Sequence, residues 1–170
     1  MPITPYHFGP SGFVGLVFRK WLDLPIFVLA NVVVDVEVLV IWLFDLGRPM
    51  HRYFHALLVG AAVGALWGAA TYPLRHFFKR LMQIFRLPYQ TRFGKMVLSG
   101  ILGVWCHVII DAIHHRDVRM LWPNKATPLY GLISEPQVET ACVILFILAI
   151  ILYAIAAVSY VKQNKAERNV

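Results

Sequence analysis

Residues 96–115 have the sequence MVLSGILGVWCHVIIDAIHH, an apolar stretch that closes with a histidine, an aspartate and two further histidines. About 20 mostly apolar residues are enough to cross a membrane as a helix. Moving a carboxylate out of water into such a stretch is costly unless it finds a cation, a partner or a metal ion. The stretch therefore predicts a membrane helix with a polar site towards one end.

The composition of the whole chain agrees with a membrane protein. Of 170 residues, 59% are hydrophobic and only 15% are charged, which lies well outside the range of soluble domains. We expect an all-α integral membrane helical bundle that forms a single domain over residues 1–170. About four transmembrane helices are predicted, at residues 26–44, 56–74, 96–113 and 141–161.

The distribution of charge predicts the orientation. The net charge is +7, and the basic residues concentrate between residues 74 and 95 and in the C-terminal tail, which the positive-inside rule places in the cytoplasm. This predicts insertion in the cytoplasmic (inner) membrane with both termini inside and with residues 45–55 and 114–140 outside. Within the basic loop, apolar residues recur at helical spacing, which predicts an amphipathic helix on anionic membrane lipid rather than a nucleic-acid partner. They are Phe77, Phe78, Leu81, Met82 and Phe85.

Polar residues interrupt the first predicted span and the segment before it. Asp35 and Glu37 fall near mid-bilayer, and two residues apart on a regular helix they point to roughly opposite sides. Intramembrane acids are functional by default. His7 precedes a short apolar segment that is either a helix descending from the outer half of the membrane or an interfacial helix on the cytoplasmic face, and these alternatives place His7 on different sides.

Histidines accompany the acids in two other segments. His51 and His55 are four apart, so they share one helical face if the second helix begins before them. His107, Asp111 and His115 fall on one stripe of the predicted third span, and His114 lies beside them. In a span that runs from inside to outside, His107 lies past the midplane and His115 at the outer edge, a depth that matches His55 and is not far above Asp35. A common depth in three spans favours one shared site over separate core histidines.

Four motifs in this order resemble the YdjM-like family of membrane-bound predicted metal-dependent hydrolases. They are TPYHFGP (residues 4–10), VDVE (residues 34–37), HRYFHALLVG (residues 51–60) and HVIIDAIHHRDVRMLWP (residues 107–123). The resemblance covers residues 2–131, and its most specific part is HxxxDxxxH at His107, Asp111 and His115. It implies a hydrolase whose remaining site residues are His7, Asp35, Glu37, His51 and His55. The family is distantly reminiscent of zinc-dependent phospholipase C, which implies phosphoester chemistry.

Imidazole and carboxylate ligands without thiolate suit zinc best, and also manganese or iron. The metal ligands expected are His7, Asp35, His51, His55, His107, Asp111 and His115, more than one tetrahedral ion needs, so one or two ions are expected. With two ions, Asp35 or Asp111 would bridge them. Glu37 is the candidate general base, and Arg52 is the candidate group that stabilises negative charge on the substrate. An outward-opening site would meet a lipid-linked or extracytoplasmic phosphoester or other ester.

Two other classes of function stay open at this stage. Intramembrane acids and histidines are also typical of a metal-ion or proton transporter or channel. Alternatively, the metal site only stabilises a structural membrane protein. Gly60, Gly64 and Gly68 form a stripe of small residues that predicts close helix packing, within the bundle or between protomers of a homo-oligomer, and we favour the bundle.

Overall fold

The computed structural model describes residues 5–168 and forms a bundle of helices, with no β-strand in that range. Residues 1–4, where the resemblance begins, and 169–170, which end the predicted domain, lie outside the described part. The prediction of an all-α fold is confirmed for the described residues. The six α-helices are α1 (Phe8–Val17), α2 (Leu24–Leu43), α3 (Leu57–Ala70), α4 (Arg75–Ile84), α5 (Phe93–His114) and α6 (Glu135–Arg168).

Three of these helices, α2, α5 and α6, are long and apolar enough to cross a membrane. The predicted second span is different, because α3 ends at Ala70 and α4 follows after a bend of 43°. The Thr71 hydroxyl donates to the Trp67 carbonyl at 2.7 Å, and Pro73 has no amide proton with which to continue the helix. The bent pair counts as a fourth span only if both parts are taken together.

Glycines hold α3 against α5, with the two helices antiparallel. A Cβ atom on Gly64 would lie 2.5 Å from the Gly100 carbonyl oxygen, and one on Gly60 would lie 2.8 Å from the Val104 side chain. Small residues allow this close approach of two backbones. The glycine stripe therefore packs within the bundle, as expected.

The short helix α1 lies inside the bundle, against α2 and α6. Gly9 meets the backbone of Cys142 on α6, where a Cβ atom would overlap the Cys142 carbonyl oxygen. A short 3-10 turn, Pro5–His7, precedes α1 and brings His7 to the end of the bundle where α5 ends. The sequence left open whether the segment after His7 descends from the outer half of the membrane or lies on the cytoplasmic face. In the structure, His7 lies beside Asp111 of α5.

The basic segment forms the expected amphipathic helix, α4. Phe78 and Met82 are buried against the bundle, whereas Lys79 and Arg80 are exposed. The longest helix, α6, leaves most of its apolar side chains uncovered, with Ile147 53% and Ile155 59% exposed. An apolar surface of this extent marks a region that contacts lipid or another protein.

Candidate metal centre

The polar residues predicted from three separate segments meet at one end of the bundle. Helices α2 and α5 run parallel, so Asp35 in α2 lies beside His107 and Asp111 in α5. The loop between α2 and α3 adds two histidines, and the 3-10 turn before α1 and the residue after α5 add one each. These four histidines are His51, His55, His7 and His115.

Asp111 is the centre of the cluster, and five imidazoles approach its carboxylate through their Nε2 atoms. The Nε2 atoms of His7 and His107 each lie 2.9 Å from an Asp111 oxygen. The other three are more distant, at 3.6 Å for His55, 3.8 Å for His51 and 3.9 Å for His115. His107 and Asp111 are one turn apart on α5, so the helix presents both to the same volume.

Asp35 provides the second carboxylate of the cluster. Its Oδ1 atom lies 3.3 Å from His107 Nε2 and 3.7 Å from His55 Nε2. Asp35, His55, His107 and Asp111 are all buried, and each offers one ligand atom within 4.8 Å of the others. A second group of the same kind, His51, His115 and Asp117, lies beside the first and is less buried.

Glu37 faces away from Asp35 and lies behind His55. One Glu37 oxygen is 3.3 Å from His55 Nδ1, and the carboxylate also accepts from the backbone amides of residues 52, 53 and 54, at 3.1, 2.8 and 3.1 Å. The helix is regular here, so the two acids do point in different directions, yet both serve the site. Glu37 thus orients His55 rather than facing the cluster as the expected general base would.

Asp117 has the same relation to His51. Its Oδ1 atom lies 3.0 Å from His51 Nδ1, and its Oδ2 accepts from the amides of Met50 and His51, each at 3.2 Å. A carboxylate behind a histidine holds the proton on Nδ1 and leaves Nε2 free to bind a metal ion, which is the usual support of metal-binding histidines. Asp117 did not stand out in the sequence, because it follows the end of α5 in a loop without periodicity.

The contacts within the cluster suit a metal ion better than hydrogen bonds. Among the described residues, the buried Nε2 atoms of His55 and His107 have no hydrogen-bond partner, although both face carboxylate oxygens. Two ligand atoms at about 2.1 Å from one tetrahedral ion are roughly 3.4 Å apart, close to the separations of 3.3 to 3.7 Å around Asp35 and His55. The donor set therefore fits a divalent cation.

The histidines outside the helices differ in their pKa values. Burial lowers the pKa of His51 and lowers that of His115 to about 4, so both rings are neutral near pH 7 and available as ligands. Burial also opposes protonation of His55, but its contacts with Asp35 and Glu37 outweigh this and raise its pKa. Positive charge is thus favoured at the point where His55 meets the two carboxylates.

Three features differ from the sequence expectations. The helix α3 begins at Leu57, so His51 and His55 reach the cluster from a loop and not from one helical face. The Arg52 guanidinium bonds to the carbonyls of residues 46, 47 and 49 and turns away from the cluster. His114 contacts Glu135 on α6, with 3.3 Å between Nε2 and Oε1; its ring also packs edge-on against that of His115, but it belongs to neither of the two metal-binding groups.

Two openings lead to the cluster. One is a cavity of about 260 Å³ between α5 and α6, lined by His7, Asp111 and His115 of the cluster and by Glu135 and Glu139 of α6. The other is a larger pocket of about 820 Å³ on the side of the α2–α3 loop. Since His115 lines both, each opening gives access to the same site.

Comparison of the chain with protein-family models, with curated proteins and with solved structures gives no match. The interpretation of the site therefore depends on the chemistry of its own residues.

Proposed function

We propose that the protein is a membrane-bound, metal-dependent hydrolase that acts on a phosphoester or another ester of a lipid-linked or extracytoplasmic substrate. The observation that carries this proposal is the convergence of histidine Nε2 atoms on Asp111 and Asp35, with Glu37 and Asp117 behind two of the histidines. A buried polar cluster of this size is costly to build, and a divalent cation would offset that cost.

Two ions are the proposed content, with zinc first and manganese or iron as alternatives. Asp35, His55, His107 and Asp111 would hold one ion, with His7 beside them, and His51 and His115 would hold the other, with Asp117 behind His51. Among the described residues, four carboxylates contact these histidines: Asp35, Glu37, Asp111 and Asp117. Their negative charge equals the positive charge of two divalent ions.

Bound at these residues, a divalent metal would supply a water acidified towards neutral pH and a positive charge for the oxygens of the ester. The protein's own part is to hold the ligands in place. Glu37 fixes the ring of His55 and Asp117 that of His51, each by a contact to Nδ1. The apolar side chains of Val34, Val104 and Val108 are fully buried within one turn of Asp35 or His107.

The membrane placement is part of the proposal. We infer four spans, counting the bent α3–α4 pair as one, with α4 on the cytoplasmic surface and the cluster towards the outer leaflet of the inner membrane. The exposed cations of α4 and the apolar exposed faces of α6 support this orientation. Labelling of cysteines introduced at residues 80 and 125 in intact and in opened cells should modify only the second in intact cells. Modification of the first alone would reverse the orientation.

The resemblance to the YdjM-like family supports the same activity, because the motif residues that carry it are those that meet in the cluster. His7, Asp35, His51, His55, His107, Asp111 and His115 all lie within 4 Å of another member. A transport pathway is less favoured, because α2 and α5 carry fully buried apolar residues, Val34, Val104 and Val108, within one turn of Asp35 or His107.

Hydrolysis of p-nitrophenyl phosphate and bis(p-nitrophenyl) phosphate by the detergent-purified protein tests the proposal. We expect release of p-nitrophenol that stops on chelation, returns with zinc or manganese, and is absent from the Asp111→Asn variant. Asp45→Asn removes the charge of an exposed acid in the α2–α3 loop and should leave the rate unchanged. Hydrolysis that is insensitive to chelation, or equal in the Asp111→Asn variant, would contradict a metal-dependent mechanism at this site.

A further inference from the structure

The larger of the two openings carries positive charge. It is bounded by the end of α2, by the loop that follows α2 and by the residues after α5, and its volume of about 820 Å³ is large enough for a small organic ligand. Its lining includes two arginines, Arg48 from the first loop and Arg116 from the second. The two chain segments thus bring one guanidinium each to the same pocket.

Neither guanidinium is committed to another residue. In the part of the chain that the structure describes, Arg48 and Arg116 form no ion pair and no side-chain hydrogen bond, and both are exposed. Arg52, four residues after Arg48, is different, because its guanidinium is bonded to three backbone carbonyls of its own loop. Arg48 and Arg116 are therefore the arginines that are free to bind an anion, a role that the sequence had suggested for Arg52.

The pocket joins the candidate metal centre directly. His51, His115 and Asp117 form its inner wall, and these are the three residues of the second metal-binding group. The smaller opening is lined by two glutamates, Glu135 and Glu139, and none of its described lining residues is an arginine or a lysine. An anionic substrate would therefore be attracted to the arginine side and repelled from the glutamate side.

The pocket also has an apolar edge. Val38 and Trp42 of α2 line it, and Trp42 is 61% exposed. The apolar surface continues outward from there, since the next two residues, Leu43 and Phe44, are 60% and 71% exposed. The pocket thus combines two guanidinium groups with an indole and an aliphatic side chain, as the headgroup and the chain of an anionic lipid would require.

We propose that Arg48 and Arg116 bind the phosphate of an anionic amphiphile, with its apolar chain against Trp42. Guanidinium groups are well suited to this role, because they present paired donors to phosphate oxygens and keep their charge. The inference rests on the proposed function and deepens it, since it names a phospholipid-type substrate for the same site. It places the phosphate next to His51 and His115.

Binding of dihexanoyl phosphatidic acid and of inorganic phosphate, measured by calorimetry on the detergent-purified full chain, tests the inference. The informative variant is Arg48→Gln with Arg116→Gln. Its matched control is Arg119→Gln with Lys125→Gln, which removes two charges from exposed positions in the loop after α5. A third variant, Trp42→Ala, tests the apolar edge.

We expect the lipid to bind more tightly than inorganic phosphate, and the Arg48, Arg116 variant to weaken the binding of both by about tenfold or more. The control should leave both affinities unchanged, and Trp42→Ala should weaken only the lipid. Equal losses in the variant and its control would show a general effect of charge and overturn the inference. Equal affinities for lipid and phosphate would overturn the amphiphile and leave free phosphate as the ligand.

Metal content separates a failure of this inference from a failure of the proposed function. The Arg48, Arg116 variant should keep the metal of the wild type, because among the described residues neither guanidinium forms an ion pair or a side-chain hydrogen bond with a proposed ligand. If the wild type binds no metal, the proposed function fails whatever the lipid measurements show. If metal and hydrolysis are normal while the variant binds lipid as the wild type does, only the inference fails.

Discussion

Two buried carboxylates at opposite ends of the bundle differ in how they are satisfied. Asp23 precedes the first turn of α2, and Asp111 lies in the last turn of α5; both are almost fully buried, at 0% and 3% exposure. The cluster around Asp111 also contains Asp35, which is twelve residues beyond Asp23 and about 18 Å further along α2. One bundle thus places a polar group at each end.

Hydrogen-bond donors surround Asp23. Its carboxylate accepts from the Tyr89 hydroxyl at 2.8 Å, from the Thr91 hydroxyl and from the Ile26 amide at 3.5 Å. Burial, and then the nearby charge of Asp23, raise the pKa of Tyr89, so the phenol keeps its proton and remains a donor. The group ties the loop before α5 to the start of α2 and needs no further ligand.

Imidazole nitrogens surround Asp111 instead. Their Nε2 atoms face carboxylate oxygens, and within the described chain those of His55 and His107 form no hydrogen bond. The difference teaches that burial of an acid is not in itself a sign of function. Asp23 has donors that only stabilise the fold, whereas Asp111 and Asp35 are surrounded by atoms that suit a metal ion.

Removing the metal should have the largest effect, because only the group around Asp111, and not that around Asp23, is expected to depend on it. If the ion is present at about 1,000 times its Kd, chelation should lower the free energy of unfolding of the wild type by about 4 kcal/mol. The thermal midpoint, followed by tryptophan fluorescence in detergent, measures this change. Chelation should not change the thermal midpoint of the His107→Ala, Asp111→Ala double variant. If chelation leaves the midpoint of the wild type unchanged as well, the group around Asp111 needs no metal and does not differ from that around Asp23.

The Glu37→Gln substitution should weaken metal binding by about 10- to 100-fold, the usual effect of losing a carboxylate behind a metal-binding histidine. Glutamine keeps the size of the side chain but loses the charge that holds the proton on His55 Nδ1. Competition with a chelating dye measures the affinity. Glu135→Gln, at an acid that is 70% exposed and contacts His114, which belongs to neither metal-binding group, is the control and should bind metal normally.

The Asp23→Asn substitution should lower the stability of the protein and leave metal binding unchanged. It removes one acceptor from a buried group with several donors, so we expect the free energy of unfolding to fall by about 1 to 3 kcal/mol. Metal affinity should stay that of the wild type. A loss of metal in this variant would show that the two ends of the bundle are coupled.

The Asp117→Asn substitution should have a smaller effect on metal binding, at about tenfold. Asp117 supports His51 as Glu37 supports His55, but its side chain is 35% exposed, so water can replace part of its contact. The same dye competition measures the change. Asp45→Asn, an exposed position in the α2–α3 loop, should give wild-type affinity, and an equal loss there would remove the assigned role of Asp117.

The fold was predictable where apolar residues are continuous. The spans expected at residues 26–44 and 96–113 correspond to Leu24–Leu43 and Phe93–His114. The span expected at residues 56–74 breaks instead, because composition alone does not register the missing amide proton of Pro73. Polar residues within these spans were equally visible, since Asp35, His107 and Asp111 contrast with their apolar neighbours.

Residues in loops were harder to predict. His51 and His55 were recognised by type, but their approach from a loop depends on Glu37 binding the amides of residues 52 to 54, a tertiary contact that spacing does not reveal. Asp117 and the two pocket arginines have no periodic position at all. Backbone carbonyls of its own loop hold the Arg52 side chain away from the cluster, so the residue type alone wrongly suggested that it binds the substrate.

The metal content of three detergent-purified proteins tests the central claim most directly. These are the wild type, the His107→Ala, Asp111→Ala double variant and Asp23→Asn, each incubated with zinc and manganese, desalted and measured by mass spectrometry. We predict about two equivalents of a divalent metal in the wild type and in Asp23→Asn, and none in the double variant. Equal metal in the double variant and the wild type, or no metal in the wild type, would contradict the account.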